Sequence, residues 1–180
     1  ARIRFSMETL DDKFSLDGKS VSEEAVDFLV EILKNPNATE NGFDEQNTLR
    51  EIRFTLENLE AMKNDKRAYA VLRLRQLMCK DEAFGIDTEK LVEDVKKLDS
   101  KQLLDAYNNM LEVSNIVITA CGSVDGEMLV EKFKAFADSI KNRNPAALEA
   151  VFVTKADEIR YFKEEMDVNQ AKLVIGLRAG

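Results

Sequence analysis

The run Ile116-Val117-Ile118-Thr119-Ala120-Cys121 constrains this sequence more than any other segment. Its β-branched residues are stiff at χ1 and favour extended backbone over helix. The run is nearly continuous in apolar character, which predicts a central strand buried on both faces. Gly122-Ser123 then turns the chain into a helix over about 124–141, with Leu129, Val130, Phe133 and Phe136 spaced to point inward.

Upstream, Ile3, Phe5 and Met7 alternate with Arg4 and Ser6, the pattern of a strand with one buried face. Ser20-Val21-Ser22-Glu23 reads as a capping box, and Val21, Ala25, Phe28, Leu29 and Ile32 follow at helical spacing. That helix must stop before Asn35-Pro36, because proline disfavours helical backbone in the residue ahead of it. A polar loop through Asn41-Gly42 leads to the longest helical pattern, marked by Phe43, Leu49, Ile52, Leu56, Leu59 and Met62. Asn64-Asp65 interrupts it, and a further helix carries Tyr69, Leu72, Leu74, Leu77 and Met78. Two shorter helices are expected near 88–97 and 100–112, capped by Thr88 or Asp87 and by Ser100 or Asp99. The segment 143–150 begins in polar, proline-bearing sequence and reads as a linker. Beyond it lie a short strand at Val151–Val153, a charged stretch and an apolar strand at Leu173–Leu177. Two strands without a covering helix bury too little surface to fold alone, so residues 151–180 read as the beginning of a second, truncated domain. Both chain ends have the look of cuts within something longer.

The second constraint is chemical. The 180 residues contain no histidine. Ser-His and Cys-His nucleophile systems and every His-based metal site are therefore absent from this chain. Two cysteines, Cys79 and Cys121, are too few for a Cys-rich zinc site and are expected to be reduced, buried thiols. A net charge of −8 argues against nucleic-acid and anionic membrane partners, whose phosphates demand clustered Lys and Arg. No apolar run approaches the length of a membrane span. The expected setting is cytoplasmic.

Four segments, in order, resemble the insulinase/pitrilysin family of zinc peptidases, whose mitochondrial-processing-peptidase-like members include a histidine-free bacterial branch. They are Leu33-Lys34-Asn35-Pro36 with Phe43-Asp44-Glu45-Gln46; Asn64-Asp65-Lys66-Arg67-Ala68-Tyr69-Ala70 running on to Leu77-Met78-Cys79; Ile118-Thr119-Ala120-Cys121-Gly122-Ser123-Val124-Asp125; and Met166-Asp167-Val168-Asn169-Gln170-Ala171-Lys172-Leu173. The resemblance spans essentially the whole chain. It implies an α+β fold, a helix layer packed on a mixed or antiparallel sheet, in which two similar domains enclose a chamber. Residues 1–142 would be the C-terminal part of the first domain, 143–150 the linker and 151–180 the start of the second.

In active family members an H-x-x-E-H helix and a later helix with a Glu ligand hold zinc, and another Glu lies seven residues before that ligand. By this resemblance Glu51 takes the upstream Glu position and Asn58 the ligand position. Seven residues are close to two turns, so Glu51 and Asn58 share a helix face, while Glu57 points aside. Neutral Asn is a poor zinc ligand. The resemblance implies a non-catalytic segment with no metal of its own, zinc entering only if an H-x-x-E-H motif lies upstream. Its role would be to form part of a peptide chamber, to pair with an active peptidase subunit or to self-associate. Two alternatives are a fragment of an active zinc endopeptidase and an interaction domain without peptide affinity. Family members hold peptide as an added strand on a sheet edge, and Ile3–Met7 or Leu173–Leu177 could offer one. Gln46, Arg50, Arg53, Lys96 and Lys97 read as solvated surface, and Arg73 and Arg75 as structural partners for acidic residues of the preceding helix.

Overall fold

A computed structural model of the chain describes residues 3–147, 151–156 and 158–178. The chain divides into two compact units, each built from two stretches of sequence: Ala1–Asp44 with Ser100–Ala146, and Glu45–Asp99 with Ala147–Gly180.

The first unit holds helices α1 (Val21–Lys34), α5 (Ser100–Val113) and α6 (Gly126–Ser139). α1 starts where the capping pattern places it: Ser20 Oγ accepts from the Glu23 amide at 3.1 Å. A 3-10 turn at Asp12–Phe14 supports this start. The Asp12 carboxylate accepts from Ser20 Oγ at 2.7 Å and from the Ser22 amide at 2.8 Å. Those donors favour the ionised form and hold the Asp12 carboxyl below its ordinary range. α1 ends at Asn35, ahead of Pro36, as expected. α6 is capped by Asp125, whose side chain accepts from the amides of Glu127 and Met128.

α1 packs on α6. Leu33, Phe133 and Phe136 form the buried cluster, with Val26, Leu29, Val30, Leu111, Leu129 and Ile140 half-buried around it. Lys132 joins the two helices at their rim through Asp27 at 2.5 Å and Glu23 at 3.0 Å. Phe28, Ile32 and Val130, expected inward, are exposed. They lie just off the narrow stripe that α1 and α6 share, so a helix apolar over a wide arc buries only the part that meets a neighbour.

The α+β class holds: among the described residues six helices accompany a two-stranded antiparallel sheet. The strands lie elsewhere than the sequence suggested. β1 (Ala38–Thr39) and β2 (Gly42–Phe43) form a tight hairpin in what read as a polar loop, pairing Ala38 with Phe43 and Thr39 with Gly42. The hairpin packs on α5. Phe43 meets Tyr107 edge-on, and the Tyr107 hydroxyl donates to the Leu33 carbonyl at 2.7 Å. Gly42 sits at φ 124°, and a Cβ there would lie 2.5 Å from the Ser100 carbonyl carbon, so only glycine fits.

Ile3–Met7, Ile116–Cys121, Val151–Val153 and Leu173–Leu177 are not in strands. The expected central strand is solvent-facing, with Val117 85% exposed. A strand exists only where a neighbour accepts its hydrogen bonds, and among the described residues these segments have no strand beside them. The chain therefore shows 14,812 Å² of accessible surface, whereas two separate globules of about ten kilodaltons each would show about 10,600 Å².

The start of the expected linker is fixed to the first unit. The Arg143 guanidinium donates to the carbonyls of Leu111 and Ser114, and the amides of Asn144 and Ala146 donate to Glu112 and Val113. These bonds satisfy carbonyls that the end of α5 would otherwise leave open.

The second unit holds α2 (Glu45–Ala61), α3 (Lys66–Met78) and α4 (Thr88–Lys96). α2 packs on α4, and its least exposed positions, Thr48, Ile52, Leu56 and Leu59, recur at helical spacing. Asp65 caps α3 by accepting from the amides of Arg67 and Ala68, each at 3.0 Å. Asp87, rather than Thr88, caps α4. The Thr88 hydroxyl instead meets Gln76, a buried amide of α3.

Phe136 is 3% exposed and Val130 69% exposed on the same helix. Phe136→Ala is expected to destabilise the first unit by about 3–5 kcal/mol, and Val130→Ala by less than about 0.5 kcal/mol. Urea unfolding read on α6 compares the two; equal losses would contradict the burial order.

Candidate functional site

Glu51 and Asn58 lie on one uninterrupted helix, α2. At about 100° per residue their directions differ by about 20°. Both side chains are exposed, as are Phe54 and Met62, which fall on the same flank. Glu57 points to the other flank, where Arg53 pairs with it at 3.8 Å. Arg50 reaches the Glu51 carboxylate at 3.4 Å. The face therefore carries one carboxylate, a neutral amide and two apolar side chains. Among the described residues no three His, Cys, Asp or Glu side chains come together as a metal cluster.

A denser arrangement of polar groups lies on α3, where sequence reasoning placed only core residues and two structural arginines. The described C-terminal residues run over this helix without forming a helix or strand of their own. Glu164 receives the Tyr69 hydroxyl at 3.0 Å and lies 3.4 Å from Arg73 Nε. Phe162 stacks under the Arg73 guanidinium at 5.1 Å. Further along, Gly176 lies so close to α3 that a Cβ would come within 2.5 Å of Met78 Sδ. Arg178 then forks onto Glu82, with both N–O distances at 2.8 Å. The same guanidinium donates to the carbonyls of Val153 and Met78, and the Val153 amide donates to Glu82 at 2.7 Å.

These contacts correct two expectations. Arg73 and Arg75 pair not with acidic residues of α2 but with Glu164 and Phe162, and with Phe84, respectively. Cys79 is buried and Cys121 is exposed, so only one of the two thiols is a core group. Burial pushes the Cys79 thiol up, the neighbouring Glu82 adding to it, which keeps the sulfur protonated and inert. The signal for the α3 arrangement was in the sequence only as isolated charges, Glu82, Glu164 and Arg178. Nothing local links residues about a hundred positions apart.

The fourth family-like motif lines an open groove of ≈450 Å³ formed by Lys66, Asp167, Val168, Asn169, Gln170 and Lys172. Beyond it the extended backbone alternates. Val174 is half-buried and Gly176 and Arg178 meet α3, while Leu173, Ile175 and Leu177 are 86%, 73% and 85% exposed. This is the two-residue period of a strand with one side occupied and one apolar side open. No helix among the described residues is long and apolar enough to cross a membrane.

A histidine-free α+β chain without a metal cluster among its described residues fits a non-catalytic peptidase homologue. The chain is similar to the insulinase-like M16 peptidases, and in particular to their inactive members. Residues 97–180 match the peptidase M16 inactive domain. The chain is 27% identical over 179 residues to a protein of Bacillus subtilis (strain 168) named "Probable inactive metalloprotease YmfF", covering 98% of this chain and 41% of that protein. It also resembles the crystal structure of a conserved protein from Enterococcus faecalis V583, with a TM-score of 0.65 and 28% identity over 77% of this chain and 32% of that one. The chain thus spans about two fifths of the curated relative it matches.

Two outcomes follow. Asn58→Glu by itself is expected to leave zinc unbound, because two carboxylates without histidine fall short of the three protein ligands of a catalytic site; stoichiometric zinc after equilibrium dialysis of the variant would overturn this. Glu82 has its pKa lowered from 4.5 to about 2, first by the Arg178 hydrogen bonds and then by the Val153 amide. A depressed carboxylate stabilises above its unfolded pKa, and that contribution disappears as pH falls through its folded pKa. The contacts around Glu82 are therefore expected to persist from pH 8 to 5 and to be lost between pH 4.5 and about 2. Exchange-rate measurements on the Val153 amide across that range follow it.

Proposed function

We propose that this chain is a non-catalytic part of a peptidase-like chamber and takes an extended peptide as an added strand along Leu173–Leu177. The observation that carries the reading is the alternation there. The inner positions are held on α3, and the outer apolar row is open to solvent in backbone already extended. Pre-extended backbone spares a peptide part of the ordering cost of forming a sheet, and main-chain hydrogen bonds supply sequence-tolerant affinity. The role uses no metal held by this chain; zinc enters only through an H-x-x-E-H helix elsewhere in the full-length protein or in a partner subunit. Ile3–Met7, exposed at every position, lacks that alternation.

A second reading, pairing with another peptidase-like subunit or with a second copy of the chain, is favoured by the exposed area. The excess over two closed globules is about 4,000 Å², more than the roughly 1,600 Å² that a standard interface removes. A short peptide covers only part of such a surface.

The test is titration of a labelled, unfolded apolar peptide, followed by anisotropy and by protection of the 173–177 amides. Wild type is expected to bind with those amides protected. Ile175→Pro, which removes a main-chain donor and adds bulk at the edge, is expected to lower affinity at least about tenfold. Unchanged affinity in the proline variant would exclude this edge. Sedimentation of the free chain, read over a concentration series, separates self-pairing from peptide binding.

A further inference from the structure

We infer that residues 151–178 form a releasable strap across α3, closed by a latch at Glu82. The strap lies within the second unit and is held there whether or not a peptide adds to the outer edge.

The path of the segment is set by its contacts. Val153 lies at Glu82, beyond the C-terminal end of α3. Glu164 lies at Tyr69 and Arg73, nearer the start of that helix. Arg178 returns to Met78, Cys79 and Glu82. The segment therefore runs along α3 and back, and its two ends meet at one carboxylate. The described residues of the strap form no helix or strand, so few regular backbone bonds hold it. What fixes it is a small set of side-chain contacts, concentrated at two places.

The Glu82 end is the tighter of the two. The Glu82 and Arg178 side chains are 9% and 13% exposed. Oε1 takes the Val153 amide and one guanidinium nitrogen, and Oε2 takes the other nitrogen. The Arg178 fork also donates to the Val153 and Met78 carbonyls. One carboxylate thus ties three points of the chain together: the entry of the strap, its exit and the turn after α3. Bidentate, charge-assisted pairs are the strong end of the hydrogen-bond scale, and removing one partner leaves the other shielded from water without compensation. The other end, Glu164 on Tyr69 and Arg73, is a looser clasp: the Glu164 side chain is 36% exposed and its ion pair is 3.4 Å long.

Between the clasps the strap packs thinly. Gly176 sits on Leu74 and Met78, and the large strap side chains Ile159, Tyr161, Leu173, Ile175 and Leu177 are turned to solvent. A segment with little apolar burial and few backbone bonds opens locally at low free energy. Opening at Glu82 frees both ends at once and uncovers Leu74 and Met78 on α3 and Cys79 at its C-terminal end.

The experiment uses the full chain and brief trypsin digestion read by mass spectrometry, alongside amide exchange. Lys155, Arg160, Lys163 and Lys172 report on the strap, and Lys34, Lys101 and Lys132 report on the first unit. Glu82→Gln, which keeps the shape and loses the charge, is expected to raise strap cleavage and exchange about tenfold or more while sites in the first unit keep their wild-type rates. Arg178→Gln should do the same, and the reversed pair Glu82→Arg with Arg178→Glu should recover part of the protection. If Glu82→Gln speeds cleavage everywhere, Arg178→Gln decides: a change confined to the strap supports the latch, and a uniform change overturns it. Strap sites in wild type that are cut as fast as in the variants also overturn it, because the strap would then be open from the start.

Discussion

Backbone amides that leave water must find partners, and in this chain helices supply nearly all of them. An α-helix satisfies its own interior donors and acceptors, so a helical pattern folds wherever a neighbour covers its apolar stripe. An extended segment has no such independence. Its order depends on another strand or on side chains that reach its backbone. In the first unit the helices close on Leu33, Phe133 and Phe136, and the extended run 116–121 lies outside that core. In the second unit the extended segment is fixed instead by Tyr69, Arg73 and Glu82.

This difference also decides what the sequence could disclose. Two helix starts were legible near their caps, because a cap is a local device: Ser20, and Asp87 as one of two candidates, bond amides two or three positions on. Helix ends at Pro36 and at the Asn64-Asp65 break were legible for the same reason. The strand assignments rested on side-chain pattern alone, and pattern states a preference for extended backbone without naming a partner. The two-residue hairpin at Ala38–Phe43 went unread because its signal is Gly42 against Ser100, a tertiary approach that no local window contains.

The candidate site divides along similar lines. The placement of Glu51 and Asn58 on one flank of one helix follows from their spacing of seven, and the separation of Glu57 follows from the same arithmetic. The Glu82–Arg178 pair has no local signature. Its members are 96 positions apart, and each alone reads as ordinary surface charge. The histidine count was the most economical datum, since composition excludes chemistry without any knowledge of fold.

The run Ile116-Val117-Ile118-Thr119-Ala120-Cys121 has a further consequence. It is six residues without a charge, a proline or a glycine, and all six are exposed. Short segments of that composition stack into cross-β zippers when they meet copies of themselves. The exposed run is therefore a place where copies of the chain can pair edge to edge as concentration rises. Covering the run would remove that pairing edge.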